Sequence, residues 1–165
     1  MNRALSDPDY DAYALMSRDA DRAREAVGGS SRHIAIGEAG ARLDFVGDGL
    51  VGPLMRAIQH VETDAPGDPS LTVTIWSSAN SGVPLSPMLR AIVDAAHGNP
   101  FSLLTPRHEI AVLSNDRVSA TFELGSGVLT LYDRERNEAI YWVEDPDALP
   151  YYELGAPLRT TFNWW

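Results

Sequence analysis

The residues that could carry out chemistry in this sequence are its four histidines and its carboxylates. His33, His60, His97 and His108 never fall at the i, i+4 spacing that places two metal ligands on one face of a helix. Two of these histidines lie next to or near a glutamate, but no third partner can be identified for either pair. The sequence therefore predicts no metal site.

Carboxylates cluster in charged runs, such as those at residues 133–138 and 144–147. A run of charges is usually a solvated face of a protein. A small hydrolase or isomerase that uses Asp, Glu and His is one hypothesis, and it requires a pocket in which the pKa of one such group is strongly shifted. The spacing of these residues does not by itself favour it.

Motifs for covalent catalysis and phosphate binding are absent from the sequence. It contains neither a Gly-x-Ser-x-Gly elbow nor a Gly-x-x-x-x-Gly-Lys-Ser/Thr loop. All 13 basic residues are arginine, which excludes Schiff-base lysines and a phosphate-loop lysine, and the lack of cysteine excludes a thiolate nucleophile. Gly125-Ser126-Gly127 is too short to cradle a phosphate and predicts a hairpin turn instead. We expect no catalytic residue and no cofactor in this chain.

Composition and charge restrict the class of protein further. A chain of 165 residues with 44% hydrophobic residues has the size and composition of one globular domain. Its formal net charge of −10 argues against binding to nucleic acid or to an anionic membrane. It has no apolar run of the roughly 20 residues that would span a bilayer, and its N-terminus lacks the apolar core of a signal peptide. These features predict a cytoplasmic protein.

The elements that would position a site follow from hydrophobic periodicity. Alternation predicts strands at residues 34–37, 41–46 and 71–76, and helical spacing predicts helices at about 50–61 and at 88–96. Four more strand-like runs are separated by short polar turns, at 109–113, 118–124, 128–132 and 139–143. The pattern predicts an α+β fold with a mainly antiparallel sheet of six or seven strands, one main amphipathic helix and a short C-terminal helix.

Three segments are predicted along the chain. Residues 1–31 form an acidic arm, partly helical or flexible, whose apolar stripe is thin and which ends in a flexible linker at Gly28–Ser31. Residues 32–154 form the α+β domain. Residues 155–165 begin a helix, with Pro157 in its first turn, and end on Trp164-Trp165 without a polar tail. Such an end suggests a fragment, with a further domain to cover those rings.

Aromatic side chains are the best candidates for binding. Tyr141 and Trp142 are neighbours on one predicted strand, so they point to opposite faces and can both be core only if both faces are covered. Core or interdomain packing is favoured for these rings. The candidate contacts to a partner or another domain are Trp76, Trp142, Tyr151, Tyr152, Arg159, Trp164 and Trp165.

The same C-terminal region carries a resemblance to a known family. Its segments are Gly125–Leu131, Glu138–Val143, Leu149–Glu153, Ala156–Thr160 and Trp164-Trp165. Together they resemble the N-terminal region of bacterial HPr serine kinase-like proteins, which accompany gene clusters for modified peptides such as lasso peptides. The resemblance covers about residues 117–165 and is looser over 34–76.

The resemblance implies a role for this chain but not a mechanism. In that family the helix that begins near Pro157 leads into an ATP-binding domain, where ATP and Mg²⁺ are expected to bind, and this chain has no counterpart of that domain's nucleotide-binding and catalytic residues. The implied role is a non-catalytic domain that positions a peptide or protein substrate, or organises an oligomer, for a kinase domain in cis or in trans. The alternative is a free-standing module that captures a precursor peptide by β-strand addition.

Overall fold

A computed structural model describes residues 11–64, 68–150 and 156–165 of the chain. Its helices and strands, in chain order, are α1 Ala12–Val27, β1 Gly29–Ile36, β2 Ala39–Val46, α2 Val51–Ile58, β3 Leu71–Ser77, α3 Ser78–Ser81, α4 Pro87–Gly98, α5 Pro100–Leu103, β4 Val118–Glu123, β5 Val128–Asp133, β6 Glu138–Val143 and α6 Ala156–Trp164. Short 3-10 helices lie at Gln59–Val61, Ala111–Leu113 and Pro146–Ala148. None of these helices has the length and apolar character needed to cross a membrane.

The six strands form one sheet in the order β1-β2-β3-β6-β5-β4. The β1/β2, β4/β5 and β5/β6 pairs are antiparallel, whereas β2/β3 and β3/β6 are parallel. Each parallel pair needs a crossover, because a tight turn can join only antiparallel neighbours. The predicted α+β class with a mainly antiparallel sheet is confirmed, and the sheet is mixed because α2 carries the chain across from β2 to β3.

Most of the predicted elements are confirmed, and one strand is wrong. The helix expected at about 50–61 is α2 with the 3-10 turn that follows it, and the C-terminal helix is α6. The strand expected at Glu109–Leu113 does not form. Glu109 and Ile110 make only isolated bridges, with Thr121 and Leu104 respectively, and Ala111–Leu113 form a 3-10 helix. His108, with a φ of 61°, reverses the chain just before this segment, so only single residues reach the edge of β4.

Helices cover both faces of the sheet. On β3, Val73 and Ile75 pack toward α2 and α6, and the next residue, Trp76, packs toward α1 and α4. On β6, Tyr141 and Trp142 divide in the same way, and both are fully buried. Both faces of β6 are therefore covered, which is the condition under which Tyr141 and Trp142 can both lie in the core. We call the two sides the α2/α6 face and the α1/α4 face.

Helix α1 is packed on the sheet along its length. The Asp11 carboxylate accepts a hydrogen bond from the Ala14 N–H at 2.9 Å and so caps the first turn. Met16, Ala20 and Ala23 are buried beneath the helix. The prediction of a flexible linker after it is wrong, because β1 begins at Gly29 and pairs along its whole length with β2. Because alanine side chains are small, the helix can approach the sheet closely. A thin stripe of large apolar residues is therefore sufficient to hold α1 on the sheet.

A buried carboxylate closes the turn between β5 and β6. The Asp133 side chain is fully buried and accepts hydrogen bonds from Arg117 Nε at 2.9 Å and from the Glu135 N–H at 3.0 Å. Burial raises the pKa of Asp133, but the hydrogen bonds from Arg117 and from the backbone outweigh this and hold the pKa below its ordinary value. The charged carboxylate therefore stabilises the folded state.

We expect Met16→Ala to lower the free energy of unfolding by about 2–5 kcal/mol, because it leaves a cavity between α1 and the sheet. Urea denaturation followed by circular dichroism measures this change. Glu25→Ala, on the exposed side of the same helix, is the control and should change the stability by less than about 0.5 kcal/mol. Equal effects of the two substitutions would mean that α1 does not pack on the sheet.

We expect Asp133→Asn to destabilise the fold at pH 7 by about 1–3 kcal/mol, because Arg117 loses a charged acceptor. The folded-state pKa of Asp133 is depressed, so its contribution is complete above the pKa of an unfolded aspartate, about 3.9, and is lost as the pH falls through the folded-state pKa. Urea titrations at pH 7 and pH 3 should therefore show the difference between variant and wild type shrinking at pH 3. Glu135→Gln, in the same turn but exposed, is the control and should show no comparable change in stability. If the stability difference between Asp133→Asn and wild type were the same at both pH values, the charged Asp133 carboxylate would not be the source of the stabilisation.

Candidate functional site

The predicted site residues fall into two separate groups. Trp76 and Trp142 lie in the core of the α1/α4 face, whereas Trp164 and Trp165 pack against the α2/α6 face. Arg159 is exposed on α6. Tyr151 and Tyr152 lie outside the described residues. The sheet therefore separates the candidate contacts that the sequence grouped together.

Trp76 and Trp142 are structural neighbours inside the core. They are paired across β3 and β6, and their ring centroids lie 6.4 Å apart at an interplanar angle of 58°. The Trp142 Nε1–H donates a hydrogen bond to Ser78 Oγ at 2.9 Å, while Trp76 Nε1 has no partner among the described residues. With exposures of 0% and 1%, these indoles are available to a partner only where a cavity reaches them.

A cluster of aromatic rings gathers around the end of α6. We call Tyr132, Phe162, Trp164 and Trp165 the C-terminal aromatic cluster. Trp164 stacks on Tyr132 with 6.0 Å between ring centroids and 21° between ring planes, and Phe162 lies 6.5 Å from Trp165. Phe162 and Trp164 of α6, and Trp165 directly after it, are half-buried. The cluster therefore presents aromatic surface that the sheet covers only in part.

The anchoring of α6 explains why its rings are held in place. Leu158 and Thr161 are fully buried against the α2/α6 face, one helical turn apart. Arg159, the next residue after Leu158, points away from that core and is exposed. Half-buried tryptophans beside an exposed arginine are the residue types that dominate binding energy at protein interfaces. The arrangement suits contact with another protein surface.

The structure also contains a cavity that the sequence did not indicate. We call it the α4 cavity, and its volume is about 270 Å³. It lies between α4, the β4–β5 turn and the segment after β6, and its lining residues are Arg90, Val93, His97, Leu124, Gly125, Ser126, Gly127, Trp142, Val143, Glu144, Asp145 and Ala148. The turn predicted at Gly125–Gly127 is confirmed, with Gly127 at a φ of 66°. No motif marks the cavity, because its walls come from three distant parts of the chain.

Charge is distributed unevenly around the α4 cavity. Arg90 Nε lies 3.0 Å from Asp94 Oδ1, and its guanidinium also pairs with the Glu144 carboxylate. Burial lowers the pKa of Arg90, but these carboxylates outweigh that effect and raise it above its ordinary value. The one arginine of the cavity is therefore charged and paired with two carboxylates.

The two edges of the sheet differ in how far they are covered. Along β4, the Ile110 N–H donates to the Ala120 carbonyl and the Phe122 N–H donates to the His108 carbonyl, both at 2.9 Å. Along β1, the Thr63 N–H donates to the His33 carbonyl at 2.9 Å. Nearer Gly29, no other described segment pairs with the outer side of β1. With respect to the part of the chain that the structure describes, this stretch of β1 is an open edge.

The histidines and carboxylates of the described residues do not assemble into a metal site. Residues 11–64, 68–150 and 156–165 contain no group of three or more His, Asp or Glu side chains placed to hold a metal ion. The carboxylate that contacts His108 is that of Glu123 on β4, whose Oε2 lies 3.0 Å from His108 Nδ1. Glu109, the neighbour of His108 in the sequence, is not this partner.

Comparison of the chain with protein families, with curated proteins and with solved structures finds no match.

Proposed function

We propose that this chain is a non-catalytic accessory domain of an HPr-kinase-like serine kinase, which it serves in cis or in trans by positioning a substrate or by regulation. The observation that carries the proposal is the C-terminal aromatic cluster at the end of α6. ATP and Mg²⁺ would bind to the kinase domain and not to this chain. The proposal follows the resemblance of residues 117–165, which include the rings of this cluster.

The packing of α6 supports a docking role. The helix is fixed to the sheet by Leu158 and Thr161, so a partner that contacts its outer side meets a preformed surface. Preformed aromatic side chains lose little conformational entropy on binding. Arg159, exposed in a chain with a net charge of −10, adds a local positive charge to that surface. These features favour the specific binding of one protein partner at α6 over non-specific electrostatic attraction to the acidic surface of this chain.

The first test is to read the coding DNA beyond the codon for Trp165 and in the adjoining genes. We expect a strand followed by Gly-x-x-x-x-Gly-Lys-Ser/Thr, the phosphate-binding loop of the kinase domain. When that domain is purified and titrated with this chain, we expect Trp165→Ala to weaken binding at least about tenfold, because a tryptophan at an interface centre contributes heavily to affinity. Isothermal titration calorimetry measures the dissociation constant.

Phe101→Ala is the matched control for that titration. Phe101 is an aromatic residue of α5 with 98% exposure, far from α6 in the sequence and not part of the C-terminal aromatic cluster. Its loss should leave binding within about twofold, as expected for a side chain outside the contact. The absence of any such kinase gene, or equal binding by Trp165→Ala and wild type, would contradict the proposed role.

The open edge of β1 favours the second candidate, a free-standing module that binds a precursor peptide by β-strand addition. The His33 carbonyl points away from β2, since it accepts from Thr63, and backbone groups alternate in direction along a strand. The Ser31 N–H and C=O therefore also point outward. A peptide strand could pair there through its main chain. The residues around this edge are serine, arginine and glycine, with no aromatic ring from the candidate set beside them.

Under this second function, Ser31→Pro should abolish peptide binding while leaving the β1/β2 pairing intact, because proline removes an N–H that faces away from β2. The probe is the precursor peptide encoded beside the gene for this chain, with binding followed by fluorescence anisotropy of a labelled peptide. Ser31→Thr keeps the N–H and serves as the control. Equal binding by the proline variant would rule out strand addition at β1.

A further inference from the structure

The α4 cavity combines apolar walls with an acidic rim. Val93, Leu124 and Ala148 contribute aliphatic surface, and Trp142 contributes an indole that is fixed by its hydrogen bond to Ser78. The arginine and carboxylate side chains of the lining are Arg90, Glu144 and Asp145, which sum to a charge of −1, one positive against two negative. Asp94 lies outside the lining but pairs with Arg90 and so adds a further negative charge beside the cavity. A ligand with an apolar stem and a positive end would complement both features.

Ser126 provides a second, independent indication of a ligand. Its side chain is 4% exposed, lines the cavity and finds no hydrogen-bond partner among the described residues. A buried hydroxyl without a partner costs free energy that a bound group can recover. The Ser126 oxygen can accept a hydrogen bond, so a donor such as an ammonium or guanidinium N–H would satisfy it.

An anionic ligand fits the cavity less well. The only arginine of the lining, Arg90, already pairs with Asp94 and Glu144, so an anion would have to displace a carboxylate from it. Among the described residues, the Asp145 carboxylate accepts a hydrogen bond only from the Asp147 N–H, at 2.9 Å, which leaves acceptor capacity for a further donor. The charge balance therefore favours a cation.

The position of the cavity in the fold agrees with a binding site. Val143, Glu144 and Asp145 stand at the carboxyl end of β6, which runs parallel to β3. Ligands of sheets with parallel strands bind preferentially beyond the carboxyl ends of those strands, where crossovers leave a crevice. Here the crossover that follows β3 includes α4, which forms one wall.

We propose that the α4 cavity binds a cationic amine or guanidinium carried on an apolar stem, as in the side chain of arginine or lysine. Val93, Leu124, Trp142 and Ala148 would enclose the stem, while Ser126 and Asp145 would accept hydrogen bonds from the charged end. This site is independent of the kinase partnership, because it shares no residue with the C-terminal aromatic cluster.

The test titrates the ¹⁵N-labelled full chain with Nα-acetyl-argininamide and follows the backbone N–H signals of Ser126 and Gly127 and the indole N–H signal of Trp142. The matched probe is Nα-acetyl-citrullinamide, which has a similar shape but no charge. We expect the citrulline probe to bind at least about tenfold more weakly, because a hydrogen bond from a charged donor is much stronger than one from a neutral donor. Equal binding of the two probes, or no shift of these signals with either, would overturn the proposal.

Variants then locate the binding on the cavity. Asp145→Asn should weaken binding of the arginine probe at least about fivefold, because it removes a charged acceptor while an asparagine oxygen can still cap the Pro146–Ala148 turn. Asp147→Asn removes the same charge two residues away, outside the lining, and should stay within about twofold. Equal weakening by both variants would indicate attraction to the whole acidic surface and would overturn the specific site. The comparison of the two probes on wild type does not depend on how well either variant folds.

The source of the cationic group is distinguished by two further probes, free agmatine and a pentapeptide with arginine at its centre. Tighter binding of the pentapeptide than of agmatine identifies a peptide side chain as the ligand. Tighter binding of agmatine identifies a small free amine. Either order supports the cationic site, whereas tighter binding of Nα-acetyl-glutamate than of every cationic probe would overturn it.

Discussion

Strands β3 and β6 carry large apolar side chains on both of their faces, and water must be excluded from each face. Ile75 and Tyr141 point one way, Trp76 and Trp142 point the other, and all four are fully buried. An exposed indole or phenol on either side would forfeit roughly 1.5–3 kcal/mol of burial per large apolar side chain. The fold therefore needs helices on both faces, and the placement of α1, α2, α4 and α6 follows from that requirement.

Helix α1 shows how this constraint recruits a segment that would not form a stable helix alone. Its alanine-rich sequence has few large apolar residues, and short isolated helices are marginal in water. Packing on the α1/α4 face supplies the missing stabilisation, and Asp19 secures it by accepting the Ser86 N–H at 2.7 Å, just before α4 begins. The two helices that cover this face are thus joined by a buried hydrogen bond.

The same constraint produces the two candidate sites, one associated with each side of the sheet. On the α2/α6 face, α6 is short and covers its neighbours incompletely, which leaves Phe162, Trp164 and Trp165 of the C-terminal aromatic cluster half-buried. On the other side, α4 spans the ends of β4, β5 and β6 without filling the space beside Trp142, and the α4 cavity results. The proposed surface for a protein partner and the proposed cavity for a cationic group can coexist, because they use different residues and different elements.

The sequence by itself determined the local elements, since alternation and helical spacing are properties of neighbouring residues. It correctly predicted α2, α4, α6 and the strands of the β4–β6 meander, and it required both faces of β6 to be covered if Tyr141 and Trp142 were both core. Only the tertiary structure decided that β3 lies between β2 and β6, that α1 belongs to the core, and that Glu109–Leu113 borders the sheet without forming a strand. It also decided that Ser126, Trp142 and Asp145 meet at one cavity while Trp164 lies on the opposite face from Trp142. These outcomes depend on contacts between residues distant in the chain, which no local pattern encodes.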